Sequence, residues 1–140
     1  QWEKDMIGAL GEKMAFEKLR LDSRVEEVEW LSRNKETFLA GNGEDGLGYD
    51  MSYRHGPDKF LLEVKASKSR RMTGFEMTQK EYEVAGEKGD NYRVMLVTDV
   101  YSTNPQFQLL PNPHDLISQD RASWTYGTVN IRLGKLPNKQ

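Results

Sequence analysis

The run "KFLLEVK", residues 59 to 65, constrains this chain most: it is apolar enough for the interior of a sheet, yet it carries Glu63 and Lys65. Side chains two apart on a strand share a face, so Glu63 and Lys65 point one way while Phe60, Leu62 and Val64 point the other. One face is therefore expected to fill a core and the opposite face to line a site. The preceding run, "GYDMSY", is joined to it by "RHGPD", in which Gly56 and Pro57 signal a turn. A hairpin centred between Gly56 and Pro57 pairs positions that sum to 113, which sets Asp50 across from Glu63 and on the face of Lys65.

Two carboxylates facing each other across a ladder, about 4.5–5.5 Å apart at Cβ, repel and weaken an unaided sheet. A divalent cation reverses that sign, because carboxylates on adjacent strands, with a main-chain carbonyl and waters, form the partial oxygen shell that magnesium accepts. Such an ion activates a water and neutralises the charge growing on a phosphodiester. Lys65 beside it would orient or help deprotonate that water, or hold the phosphate. Its proton state stays open at this level, since burial and a cation lower its pKa whereas carboxylates raise it.

The rest of the composition narrows the metal. There are no cysteines and only two histidines, His55 and His114, which excludes disulfides, thiolate sites and a zinc cage, and leaves Mg2+ or Mn2+ held by oxygen. The 140 residues, 36% hydrophobic and 30% charged, fit one nuclease-sized domain over 1–140, read as a module of a larger multidomain protein. No apolar run reaches membrane-spanning length and the N-terminus lacks a signal-peptide pattern, so the expected setting is intracellular and away from membranes. A net charge of −2 does not advertise a nucleic-acid binder, so local charge must carry that case.

Met6, Ile7, Leu10, Met14 and Leu19 recur at helical spacing, which predicts an amphipathic helix over 2–21, with Gly8, Gly11 and Ala15 as a strip for close packing and Glu12 at its border. "VEEVEW" suits an edge strand, and the four glycines of residues 40–48 a loop. After a basic loop, "ASKSRRMTG", Thr78 followed by Glu81 forms a capping box for a short helix ending at Gly89. "NYRVMLVTDVY" reads as a central strand, "QFQLL" as another, "NPHDLISQ" as a helical turn and "GTVNIRL" as a last strand. The order implies an α/β fold, a mixed sheet flanked by helices.

These residues carry a family resemblance. "GEKMAFEKL", then Asp50, then Glu63-Val64-Lys65 resembles the PD-(D/E)XK nuclease superfamily, which includes Mrr-like restriction enzymes and Holliday-junction resolvases. More closely, "LGEKMAFEKL", "VEWLSRN", "EDGLGYDM", "FLLEVKAS", "FEMTQKEYEVA" and "KGDNYRVMLV" resemble successive blocks of the NO VEIN C-terminal domain, found in plant nuclear proteins and many microbial ones. The resemblance implies a restriction-endonuclease-like fold with an N-terminal helix, a central hairpin carrying D…ExK, then a helix and a strand. It also implies catalytic positions at Asp50, Glu63, Lys65 and Glu12, and metal ligation by Asp50, Glu63, the Val64 carbonyl and Glu12. Gln79 resembles an accessory glutamine of some relatives. Tyr49 and Gly48 stand where the broad family and the closer branch, respectively, often carry proline.

The function so implied is a magnesium-dependent phosphodiesterase cutting DNA, or RNA, in the nucleus of a eukaryote or the cytoplasm of a microbe, with targeting supplied by other domains. Lys68, Arg70 and Arg71 are expected to clamp a phosphate backbone. The alternatives are a non-cutting module on the same scaffold, for nucleic-acid binding or domain docking, and a purely structural interaction domain. Glu-x-Lys on a strand face is also commonly a solvated ion pair. Glu81 is read as a helix cap, and Trp30, Tyr92 and Trp124 as core or interface aromatics. Glu44 and Asp45 are either loop polarity or support for the site, and neither oligomeric state nor target specificity follows from the sequence.

Overall fold

A computed structural model describes residues 1–117, 122–125 and 128–133 of this chain. Helix α1 (Trp2–Leu21) leads into β1 (Val25–Trp30), a 3-10 turn (Arg33–Thr37) and the hairpin β2 (Met51–His55) and β3 (Asp58–Ala66). Strand β4 (Gly74–Thr78) runs directly into α2 (Gln79–Lys88), and β5 (Tyr92–Thr98), β6 (Gln106–Leu110), α3 (Pro113–Ile117), β7 (Ala122–Thr125) and β8 (Thr128–Arg132) follow. Five strands form one mixed sheet in the order β1-β2-β3-β5-β6, and β4-β8-β7 form a second, antiparallel one. "VEEVEW" is indeed an edge strand and "KFLLEVK" lies at the sheet's centre. Strand β4 and the second sheet were not expected, because the alternation of "GFEMT" is too short to register without its partner β8, more than fifty residues away.

The hairpin keeps the expected register, from Met51 opposite Leu62 to His55 opposite Asp58. Strand β5 lies parallel to β3, with α2 as the crossover between them. This places two cores on the two faces of the sheet. Phe60, Leu62 and Val64 face Ala15, Phe16 and Leu19 of α1, while Leu61 faces the side of α2, with Val94, Leu96 and Tyr82. Full burial of a side chain such as Leu62, with none of its surface exposed, contributes about 1.5–3 kcal/mol.

Helix α1 packs closely because of Gly11: a Cβ there would overlap the Ala66 side chain and meet Val64. Ala15 is also fully buried, whereas nothing approaches Gly8, so the close-packing strip is shorter than its sequence. Among the described residues no helix is long and apolar enough to cross a membrane.

Candidate active site

Asp50 is fixed by its main chain before its side chain does anything. Its N–H donates to the Leu62 carbonyl at 2.9 Å, and its own carbonyl accepts from Leu31 and Ser32 at 2.8 and 3.2 Å. The residue thus sits just past the end of the β2 ladder, pinned between β1 and β3. The approach to it is shaped by Gly48, which has φ near +89° and leaves no room for a Cβ against Val84. Proline, fixed near φ −65°, does not fit that conformation, which explains its absence from position 48. The Tyr92 hydroxyl holds the Gly48 carbonyl at 2.8 Å.

The Asp50 carboxylate turns to β3, where Oδ2 accepts the Val64 N–H at 2.9 Å. Ser67 N–H bonds to β5 while the Leu62 carbonyl bonds to Asp50, so the even-numbered residues of β3 aim their main chain at the β2 side. The Val64 carbonyl therefore lies on the side of Asp50. Glu63 and Lys65 share the opposite-parity face as expected, and their heads meet at 3.2 Å. Asp50, Glu63, Lys65 and Glu12 all line one cleft of about 560 Å³ at this end of the sheet.

Charge in the cleft is out of balance. Burial, then repulsion from Asp50, pushes the Glu63 carboxyl well above the ordinary range, with Lys65 acting against them. Asp50 is likewise raised by burial and by Glu12, against the Val64 hydrogen bond and Lys65. Burial opposes the Lys65 charge, but Glu63, Glu81 and Asp50 outweigh it and hold the ammonium more firmly than usual. The Lys65 proton state left open by sequence is thereby closed in favour of the cation.

Two placements differ from expectation. Glu12, expected to offer free oxygens, already accepts Trp30 Nε1 at 2.9 Å and the Ser32 hydroxyl on Oε1, and Asn34 Nδ2 at 2.6 Å on Oε2. It fastens α1 to β1 and the 3-10 turn, and burial followed by these bonds and by Asp45 sets its pKa above normal. Gln79 is exposed and donates to Glu83, outside the cleft, because its position on α2 points away from the sheet.

The helix residue that does enter is Glu81. Its Oε1 lies 3.2 Å from Lys65 Nζ while also accepting Thr78 N–H at 3.0 Å, so one carboxylate both caps α2 and anchors the lysine. The capping pattern made its first role visible and concealed the second. Lys68 lines the cleft and pairs with Glu3 at 3.1 Å, whereas Arg70 and Arg71 turn to a separate cavity. Trp30 is a core aromatic stacked between Phe16 and Phe38, and the Trp124 side chain lies outside the described residues.

The donor set fits a hard divalent cation better than any softer ion. Glu63 Oε1 is buried and has no hydrogen-bond partner, an expensive condition for a carboxylate oxygen and one that a cation relieves. Asp50 and the Val64 carbonyl add oxygens on the adjoining side. Among the described residues no three acidic or imidazole side chains already converge as a metal cage, so water or substrate oxygens would complete the shell.

The family model described as Protein NO VEIN, C-terminal, matches residues 11–110. No curated protein matches the chain. Among solved structures, Archaeoglobus fulgidus Hjc, a Holliday junction resolvase from an archaeal hyperthermophile, is 14% identical with a TM-score of 0.50, over 89% of this chain and 83% of that one. The shared architecture is the restriction-endonuclease-like fold of the PD-(D/E)XK nucleases.

Proposed function

The chain belongs to the NO VEIN C-terminal domain family, and from that membership and the chemistry of its cleft we propose a metal-dependent phosphodiesterase that cuts a nucleic-acid backbone, DNA in the first instance. The observation that carries this reading is the buried, unpartnered Glu63 Oε1 beside Asp50 and Lys65. Asp50, Glu63 and the Val64 carbonyl would hold Mg2+ or Mn2+. When bound, such an ion activates a water and offsets the phosphate's developing charge.

The protein's own groups do the positioning. Lys65, braced between Glu63 and Glu81, is an ammonium before substrate arrives, so it orients a water or donates to a phosphate oxygen and does not act as the resting base. Glu12 holds α1 against the cleft and, by repelling Asp50, adds to the demand for a cation. Residues 1–140 act as one unit whose target is chosen by other domains of a larger protein.

Plasmid incubated with the protein and Mg2+ or Mn2+ tests the proposal. Nicking that disappears with Asp50→Asn, Glu63→Gln and Lys65→Ala is the expected result; cutting that survives Glu63→Ala and Lys65→Ala removes the assignment. A second reading, a non-cutting nucleic-acid or docking module, draws on the saturation of Glu12 and the lack of a three-acid cage among the described residues. Calorimetry separates them: no heat of Mn2+ binding at millimolar metal, with the fold intact, favours the module.

A further inference from the structure

The five-stranded sheet carries a second concavity on the same face as Glu63 and Lys65. Opposite residues in a ladder share a face, and Lys65 is opposite Leu96, which is opposite Gln108. Two strand spacings separate Lys65 from Gln108, about 10 Å. Here a cavity of about 390 Å³, within the range of small-ligand pockets, is lined by Arg70, Arg71, Thr98, Gln106 and Gln108. The loop that follows β3 forms the wall between the two concavities: Lys68 and Ser69 line the carboxylate cleft, and Arg70 and Arg71 line this one. Hydrogen bonds from Asp99 N–H to the Ser69 carbonyl and from Val100 N–H to the Ser67 carbonyl fasten that wall across the end of β5.

The lining differs chemically from the cleft. No acidic residue lines the pocket, and among the described residues neither arginine has an acidic partner, so two guanidinium groups stand ready for an anion. The Gln106 amide donates to the Asn104 carbonyl, while Gln108, half-buried, has no hydrogen-bond partner among the described residues. A glutamine amide presents a donor and an acceptor side by side, the pattern that pairs with the N6 and N7 edge of adenine. Guanidinium groups favour phosphate.

We propose that this pocket is a nucleotide subsite, taking one phosphate on Arg70 and Arg71 and the edge of its base on Gln108, on the same strand whose scissile phosphate lies at Lys65. The subsite deepens the phosphodiesterase reading and rests on it. A strand rising 3.4 Å per nucleotide crosses the 10 Å in about three steps, and an unstacked strand in fewer. The pocket therefore senses a nucleotide one to three positions from the cut, and it accepts an unpaired base more readily than a stacked one.

Fluorescence anisotropy tests this in EDTA, where nothing is cut, using labelled 12-mers of dA, dT and dC with the full chain. Arg70→Ala/Arg71→Ala is expected to weaken binding about tenfold or more near 0.1 M salt and to lower the log–log salt slope by about 1.4, two contacts at ~0.7 each. Gln108→Ala is expected to erase a preference for dA while leaving dT affinity within about twofold. Lys35→Ala/Lys59→Ala, equal in charge and remote from the pocket, controls for net charge. Losses no larger than in that control, or an unchanged base ranking with Gln108→Ala, overturn the subsite while leaving cleavage at Glu63 standing. Wild type that binds none of the oligonucleotides overturns the phosphodiesterase reading together with it.

Discussion

Replacing Glu63 by glutamine is expected to make the metal-free protein more stable. Glu63 is 3% exposed, with Oε1 unpartnered and its carboxyl held well above the ordinary 4.5 by burial and Asp50. A buried polar group left unsatisfied costs about 1–3 kcal/mol, more when charged. Glutamine keeps an oxygen for Lys65, which retains Glu81, and removes the repulsion from Asp50. A net gain of about 1–2 kcal/mol follows, or roughly 3–8 °C in melting temperature for a chain of this size.

The pH dependence has a definite sign. A carboxyl with a raised folded pKa costs no stability below its ordinary value, where both states are protonated, and costs progressively more as the pH climbs toward its folded value. The advantage of Glu63→Gln is therefore near zero at pH 4 and largest at pH 8. Lys65 contributes no slope across that window, because its raised pKa maintains its stabilisation until the solution passes the ordinary lysine range. Thermal unfolding from pH 4 to 8 in EDTA measures this. Millimolar Mn2+ should then invert the order, since a ligand at about 100 times its dissociation constant adds about 2.7 kcal/mol to the wild type alone. A variant less stable than wild type at pH 8, or a difference that does not change with pH, refutes the reasoning.

Other perturbations follow from the same geometry. Glu12→Ala strands the Trp30 and Asn34 donors and should cost about 2–4 kcal/mol in urea unfolding. Gly11→Val drives a branched side chain into Ala66 and should cost about 1–3 kcal/mol, with loss of metal affinity as α1 lifts from the cleft. Thr78→Ala removes the α2 cap, costing about 1 kcal/mol. It also loosens Glu81 beneath Lys65, so nicking rate should fall further than stability implies, as a comparison with Gln79→Ala would reveal. Tyr92→Phe abandons the Gly48 carbonyl, and an expected cost of about 1–3 kcal/mol in chemical unfolding should come with weaker metal binding through Asp50.

Much of this site can be read from the chain because its parts lie on elements with a period. Two-residue alternation puts Glu63 and Lys65 on one face, the Gly56-Pro57 turn sets the hairpin register, and helical spacing defines α1. Where periodicity ends, so does legibility. Arg70 and Arg71 sit on a loop whose path depends on hydrogen bonds to residues 97–100, and their turn away from Lys68 has no local signal. Glu12 looks like a free acid until the partners from β1 and the 3-10 turn come together around it. Glu81 shows a local role that is sufficient in itself, and only the packing of α2 on β3 adds Lys65 to it. Strand β4 needs β8 to become a strand at all.

The most direct measurement is anomalous diffraction from crystals soaked in Mn2+. The expected result is a single peak with oxygens of both Asp50 and Glu63 at about 2.0–2.2 Å, absent when the crystals contain Glu63→Gln. No peak in this cleft at millimolar Mn2+, or a peak that touches only one of the two carboxylates, contradicts it.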